Sequence, residues 1–187
     1  MMALIFITGI ITWTFIEYGM HHWNGHLLKG RTHFSREHLK HHTTKDYFST
    51  LPEKIRSATP VSLLIWGVSG LLIGWLYGAI FSAGVVTGYV IYEHIHWANH
   101  MRPPTNAYER WARRHHLSHH FMDARYNHGV TTPIWDYVFQ THRTPGVIKV
   151  PRKFAMEWLL DQDGELDPQF AEEYVLSARR PRAQKAA

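Results

Sequence analysis

The chain has no cysteine in its 187 residues, which excludes disulfides and thiolate metal sites. Acidic residues are scarce, 15 against 20 lysines and arginines, giving a formal net charge of +5 with histidine neutral. From residue 61 to residue 92, VSLLIWG through TGYVIY, charge is missing altogether. Soluble cores seldom run so long without a charged side chain. The run is too long for one membrane span of roughly 20 residues and suits two short ones. Gly74 and Gly78 supply a tight turn between them. Residues 1–20 are apolar until Glu17, and they lack the basic start and small-residue cleavage site of a signal peptide. We therefore read them as a retained span.

These patterns predict an all-α, integral membrane helical protein. About three transmembrane spans are expected, near 1–20, 60–75 and 78–95, with a His-rich helical cap at one membrane face. A membrane domain is expected over 1–150. Residues 151–187 are expected to form short surface helices, broken at DGELDP, followed by a frayed tail RPRAQKAA. Lys29, Arg31, Arg36, Lys40, Lys45, Lys54 and Arg56 lie between the first span and the hairpin, and the hairpin tip carries no charge. The positive-inside rule then places that loop, the C-terminal region and the His-rich face in the cytoplasm, at a bacterial inner membrane or the endoplasmic reticulum. The basic balance alone would also suit nucleic acid, but the uncharged run argues against that partner.

Histidine is abundant: 16 residues, more than the acidic total. Ten fall into four clusters. HHWNGH holds His21 and His26, and HLKHH holds His38, His41 and His42. HIHWANH holds His96 and His100, and HLSHH holds His116, His119 and His120. A helix brings positions i, i+3 and i+4 to one side. Converging imidazoles repel when protonated and gain little when neutral, so the pattern makes sense if something binds their lone pairs. Any one of them, taken singly, reads as an ordinary surface or core histidine; four matched spacings read as ligands. Ten are too many for one metal and suit two, each with open positions. Imidazole alone does not choose among zinc, copper, iron and nickel. Two open metals beside a bilayer suit oxygen activation on a lipid C–H bond.

Glu17, at a span end, needs a partner and could orient His21. Glu93 and Asp136 could do the same for His96 or His120, and His128 could serve the outer layer of the site or the substrate.

In order and spacing, the four clusters resemble the fatty acid hydroxylase superfamily of membrane di-iron enzymes, and most closely its fatty acid 2-hydroxylases. WTFIEYGMHHWNGH, HFSREHLKHH, GYVIYEHIHWANH and HHLSHHFMDARYNHGVTTPIWDYVFQT carry the likeness, over about residues 12–141. The resemblance implies two iron ions, with zinc able to substitute in purified protein, and dioxygen as co-substrate. It also implies a lipid substrate taken from the membrane, and electrons from a separate carrier protein and its reductase. One metal would be held by His21, His38, His41, His116 and His119. The other would be held by His26, His42, His96, His100 and His120. A carotenoid or sterol hydroxylase or desaturase of the same superfamily, and a non-catalytic metal-binding membrane protein, stay open as alternatives.

Overall fold

The computed structural model describes residues 1–177; the expected frayed tail lies outside the described residues. Three long helices make the frame. Helix α1, Met2–Gly19, runs without interruption into a π-helix, Met20–Leu27. Helix α3 spans Leu51–Ile73 and α4 spans Trp75–Met101. Each of the three is long and apolar enough to cross a bilayer. They extend past the expected spans: the ends of α1 and α4 that bear histidines continue the same helices instead of forming separate caps, and α3 begins early at its capping box.

The residues that set these elements are local. Thr50 and Glu53 form a capping box at the start of α3, with Pro52 in its first turn. Only Gly74, at φ +90°, separates α3 from α4, so the hairpin turn is tighter than the Gly74–Gly78 stretch expected. Gly78 serves packing instead: a Cβ there would lie 2.5 Å from the Gly70 backbone nitrogen. The α1–α4 contact is closer still. A Cβ on Gly9 would lie 2.2 Å from the Phe81 carbonyl oxygen, and one on Gly84 would lie 2.1 Å from that of Phe6. Small residues let membrane helices approach backbone to backbone, where packing substitutes for a hydrophobic driving force. The outer faces carry exposed apolar side chains such as Leu4, Ile11, Leu64, Leu71 and Leu76, which suit contact with lipid. Helices α1 and α3 each pack along α4 and barely touch one another. The frame is thus open between α1 and α3.

Two shorter helices cover one end of it. Helix α2, His33–Thr43, starts where Thr32 accepts from Ser35 N at 3.0 Å. Helix α5, Ala107–Phe121, starts where Asn106 accepts from Glu109 N at 2.9 Å, after the Pro103–Pro104 break. Helix α6, Ile134–Val138, is a single short turn.

The C-terminal segment differs from expectation. Its described part forms no surface helices longer than 3₁₀ turns. Strand β1, Ile148–Pro151, pairs in parallel with β2, Tyr174–Ser177, with Ile148 opposite Tyr174. The expected boundary after residue 150 therefore falls inside a strand. Between the strands, Ala155, Met156, Leu159 and Phe170 turn inward and pack with Ile148, Val150 and Tyr174 against Leu117 of α5. The apolar residues of this stretch alternate or recur at irregular intervals, which fits a buried, looped segment better than a helical stripe.

Candidate metal centre

Ten histidines meet where the membrane helices run into the covering helices. They form two groups of five, each with ligand atoms within 4.8 Å of one another. The first group is His21, His26, His38, His42 and His119; the second is His41, His96, His100, His116 and His120. All ten residues expected from the sequence are brought together. The division between the groups is not the one the resemblance implies. His26 and His42 belong with His21, His38 and His119, whereas His41 and His116 belong with His96, His100 and His120.

The physical reason lies in helix geometry. Around an α-helix, i and i+4 lie about 40° apart, on opposite sides of which i+3 diverges by about 60°. His38 and His42 on α2 therefore act as a pair, and His41 turns to the other group. On α5 the mirror choice holds: His116 and His120 pair, and His119 crosses over. Each group thus takes one pair from a membrane helix, one pair from a covering helix, and one crossing residue from the other covering helix. The rings of His42 and His120 stack at 3.9 Å where the groups abut.

The His21–His26 spacing needs a special element. Five residues along an α-helix leave two side chains about 140° apart. The π-helix has i→i+5 bonding, so the fifth residue returns to the same face. Both rings then reach His119, with Nε2–Nε2 distances of 3.0 Å from His21 and 2.9 Å from His26.

The protons show what the groups can hold. His21 Nδ1 lies 2.5 Å from the His128 carbonyl, His119 Nδ1 lies 2.7 Å from that of Tyr126, and His41 Nδ1 lies 2.8 Å from that of Tyr47. A carbonyl only accepts, so each Nδ1 carries the hydrogen and each neutral ring turns a bare Nε2 inward. His21 Nε2 and His119 Nε2 then face each other with two lone pairs and no proton between them. Protonation does not relieve this. Burial, and after it the neighbouring imidazoles, holds His38, His42, His116, His119 and His120 well below the ordinary histidine range. Burial also lowers His41 to about 4. His120 Nε2 is buried with no hydrogen-bond partner. A cation resolves all of these at once. Two nitrogens on adjacent corners of a shell with metal–nitrogen bonds of about 2.1 Å stand about 3.0 Å apart. The Nε2–Nε2 separations His26–His38, His38–His42, His42–His119, His41–His96 and His100–His116 run from 2.9 to 3.2 Å. The donor set fits two metal ions.

The three carboxylates expected to orient ligand rings do other work. Glu17 accepts from Val130 N, Thr131 N and Thr131 Oγ1 at 2.5–2.9 Å, and not from His21. Glu93 pairs with Lys54, not with His96. Asp136 accepts from His128 N, Gly129 N and Thr141 Oγ1, each at 2.8 Å, and from His115 Nε2 at 3.2 Å, not from His120. His128 does lie against the site, through its backbone: its carbonyl holds His21, and its Nε2 lies 3.0 Å from His22 Nδ1. The groups that orient rings are main-chain carbonyls, which carry no signal of residue type. Sequence reading also missed Arg113 and Trp158. Buried Arg113 donates to the carbonyls of Ala98, Asn99 and Arg102, and Trp158 Nε1 donates to that of His100 at 2.9 Å. Together they pin the end of α4 behind the second group.

A cavity of about 460 Å³ opens beside the histidines, between α1, α3 and α4. Its inner end is formed by His38, His41 and His96, and its walls by Trp13, Ile65 and Val85 among others. Lys54 and Glu93 stand on its polar side. A water-sized opening of about 20 Å³ reaches His41, His42, His100 and His120 past Lys45 and Phe154.

The comparisons with known proteins agree with this architecture. The family model described as "Fatty acid hydroxylase" matches residues 6–141. The chain is 32% identical over 149 residues to the fatty acid 2-hydroxylase of Mus musculus, covering 73% of this chain and 39% of that protein. It is 30% identical to the ceramide very long chain fatty acid hydroxylase scs7 of Schizosaccharomyces pombe, covering 73% and 41%. It is 27% identical to the dihydroceramide fatty acyl 2-hydroxylase FAH2 of Arabidopsis thaliana, covering 81% and 65%. The first two matches thus span about two fifths of the relatives' length. A solved structure titled "Full length scs7p (only hydroxylase domain visible)" has the same fold, with a TM-score of 0.61 and 24% identity over 76% of this chain and 56% of that one.

Proposed function

From the premise that the chain belongs to the fatty acid hydroxylase family, we propose that it hydroxylates a membrane lipid on its fatty acyl chain, at the carbon next to the acyl carbonyl. The observation that carries this reading is the pairing of two five-histidine groups with an apolar cavity that opens between lipid-facing helices. The relatives named above act, by their names, on fatty acyl chains, which favours an acyl substrate over a carotenoid or a sterol.

His21, His26, His38, His42 and His119 would hold one iron ion, and His41, His96, His100, His116 and His120 the other. Bound iron would supply the oxygen chemistry, by which one oxygen atom of dioxygen is inserted into the C–H bond and the other is released as water, with two electrons and two protons drawn from outside the chain. A separate electron-transfer protein and its reductase supply those electrons. The chain's own residues do the positioning. The gap between α1 and α3 admits the acyl chain sideways from the bilayer. Trp13, Ile65 and Val85 surround it with apolar surface and exclude water, and His38, His41 and His96 form the end that its reacting carbon meets. The Lys54–Glu93 pair leaves polar partners for the headgroup. The His-rich end faces the cytoplasm, consistent with the basic residues that follow α1.

The test is expression of the wild type and His119→Ala in an iron-supplied host, with lipid extracts compared by mass spectrometry under labelled dioxygen. The wild type alone should add one labelled oxygen to an acyl fraction, and fragmentation should place it beside the carbonyl. Label in a sterol or carotenoid fraction, or equal products from both proteins, would refute the proposal.

A further inference from the structure

The segment between α5 and α6 is gripped in an unusual way. Four consecutive backbone N–H groups, those of His128, Gly129, Val130 and Thr131, all donate to carboxylates. Asp136 takes the first two at 2.8 Å each, and Glu17 takes the second two at 2.5 and 2.9 Å. Thr131 Oγ1 adds a bond to Glu17 at 2.7 Å. The two carboxylates come from distant parts of the chain, α1 and α6, and both are buried. Bonds to an ionised carboxylate are the strong ones, and, against the penalty of burial, its hydrogen bonds hold the Asp136 carboxyl well below the usual range. Asn127, at φ +61°, completes the grip through Ser118 Oγ and the Arg143 backbone at 2.7–2.8 Å.

This clamped loop carries two ring-orienting carbonyls. Tyr126 holds His119 and His128 holds His21. Both rings belong to the same five-histidine group. The other group has a single ring held this way, His41 on the Tyr47 carbonyl. Tyr47 lies in the connection between α2 and α3 and is half-buried. In that second group His116 Nδ1 is buried with no partner.

We infer that Glu17 and Asp136 are positioning residues for one metal site only, and that the two sites consequently differ in affinity: the His21/His119 site binds tightly and the His41/His116 site binds weakly. The inference rests on the metal-centre reading above. A ring whose Nδ1–H is already bonded is a better and better-aimed donor, and loss of such partners elsewhere lowers metal affinity about 10–100-fold. The clamp acts on the first group through two rings at once; the second group is braced by Arg113 and Trp158 at the α4 backbone and not at its rings, and Asp136 reaches α5 only at His115, which is not among the ten.

The test is a Co²⁺ titration of the metal-free full chain in detergent micelles, followed by visible absorption against a competing chelator. The wild type should load in two steps. Glu17→Gln and Asp136→Asn should each weaken the tighter step about 10–100-fold and leave the weaker step in place. His119→Ala should remove the tighter step, which identifies it. Retention of the weaker step is the sign of a folded protein; if either clamp variant loses both, Thr131→Val, which removes one hydroxyl donor, decides by weakening the tighter step alone. Two indistinguishable steps in the wild type, or equal weakening of both in Thr131→Val, would overturn the inference. A wild type that binds no Co²⁺, Fe²⁺ or Zn²⁺ would overturn the metal-centre reading itself.

Discussion

The division of the ten histidines can be tested by removing two ligands that share one helix. His38 and His42 both lie in the first group, with their Nε2 atoms 3.1 Å apart. Replacing both with alanine leaves that group three of its five donors, His21, His26 and His119. The second group keeps all of its own, because the residue of α2 that serves it is His41. Since three imidazoles hold an ion far less tightly than five, bound metal in the purified protein should fall from about two ions per chain to about one. The assay is metal analysis of purified protein by mass spectrometry, with Co²⁺ absorption reporting the surviving site. The alternative division, in which His38 and His42 serve different metals, predicts damage to both sites at once. Loss of both ions in the double variant, with the single variant His41→Ala sparing the second site, would refute the geometry. The converse experiment sharpens the result: His116→Ala with His120→Ala should spare the first site.

Gly84→Ala should destabilise the protein by about 1–3 kcal/mol, because its methyl group collides with the Phe6 backbone and not with a side chain that can move; thermal unfolding in micelles would measure it. Trp158→Ala should lower the unfolding temperature and loosen the second site, since it removes the ring stacked on Arg113 and the donor to the His100 carbonyl; because the ring is half-buried, the cost should fall below the roughly 3–5 kcal/mol of a fully buried aromatic. Ile65→Trp should reduce turnover of long acyl substrates and leave bound metal unchanged, since Ile65 lines the cavity away from the histidines. Chelation of bound metal should lower thermal stability, because ions that bind only the folded state stabilise it by mass action.

The candidate ligand set was legible because residue type and spacing carry it. Histidines placed i, i+3, i+4 announce a shared helical face, and charge-free runs announce the helices that hold them at one depth. The division of ligands between metals was not legible, because it depends on which side of α2 and α5 each ring turns to, and crossing angles are set by tertiary packing. The carboxylates show the same boundary. A buried Glu17 could be recognised as needing a partner, yet its partners are two backbone N–H groups and one hydroxyl more than a hundred positions away. The C-terminal strands were missed for a similar reason. Four-residue strands joined by irregular turns have no periodic signature, and they exist because Leu117 of α5 gives them a surface to cover.

The π-helix has one more consequence. The rod from Met2 to Leu27 meets the rest of the protein on two separate faces: a glycine face that meshes with α4, and a histidine face that meets the metal groups. One surplus residue in the wide turn sets the angle between these faces, as a key sets two gears on one shaft. Winding the same residues as an ordinary helix would swing one face by about 100° relative to the other, whereas deleting one residue between His21 and His26 would leave them four apart and in phase. Substitutions along this rod can be absorbed side chain by side chain. A change of winding within the stretch cannot, because no single replacement elsewhere rotates a whole helix back into phase.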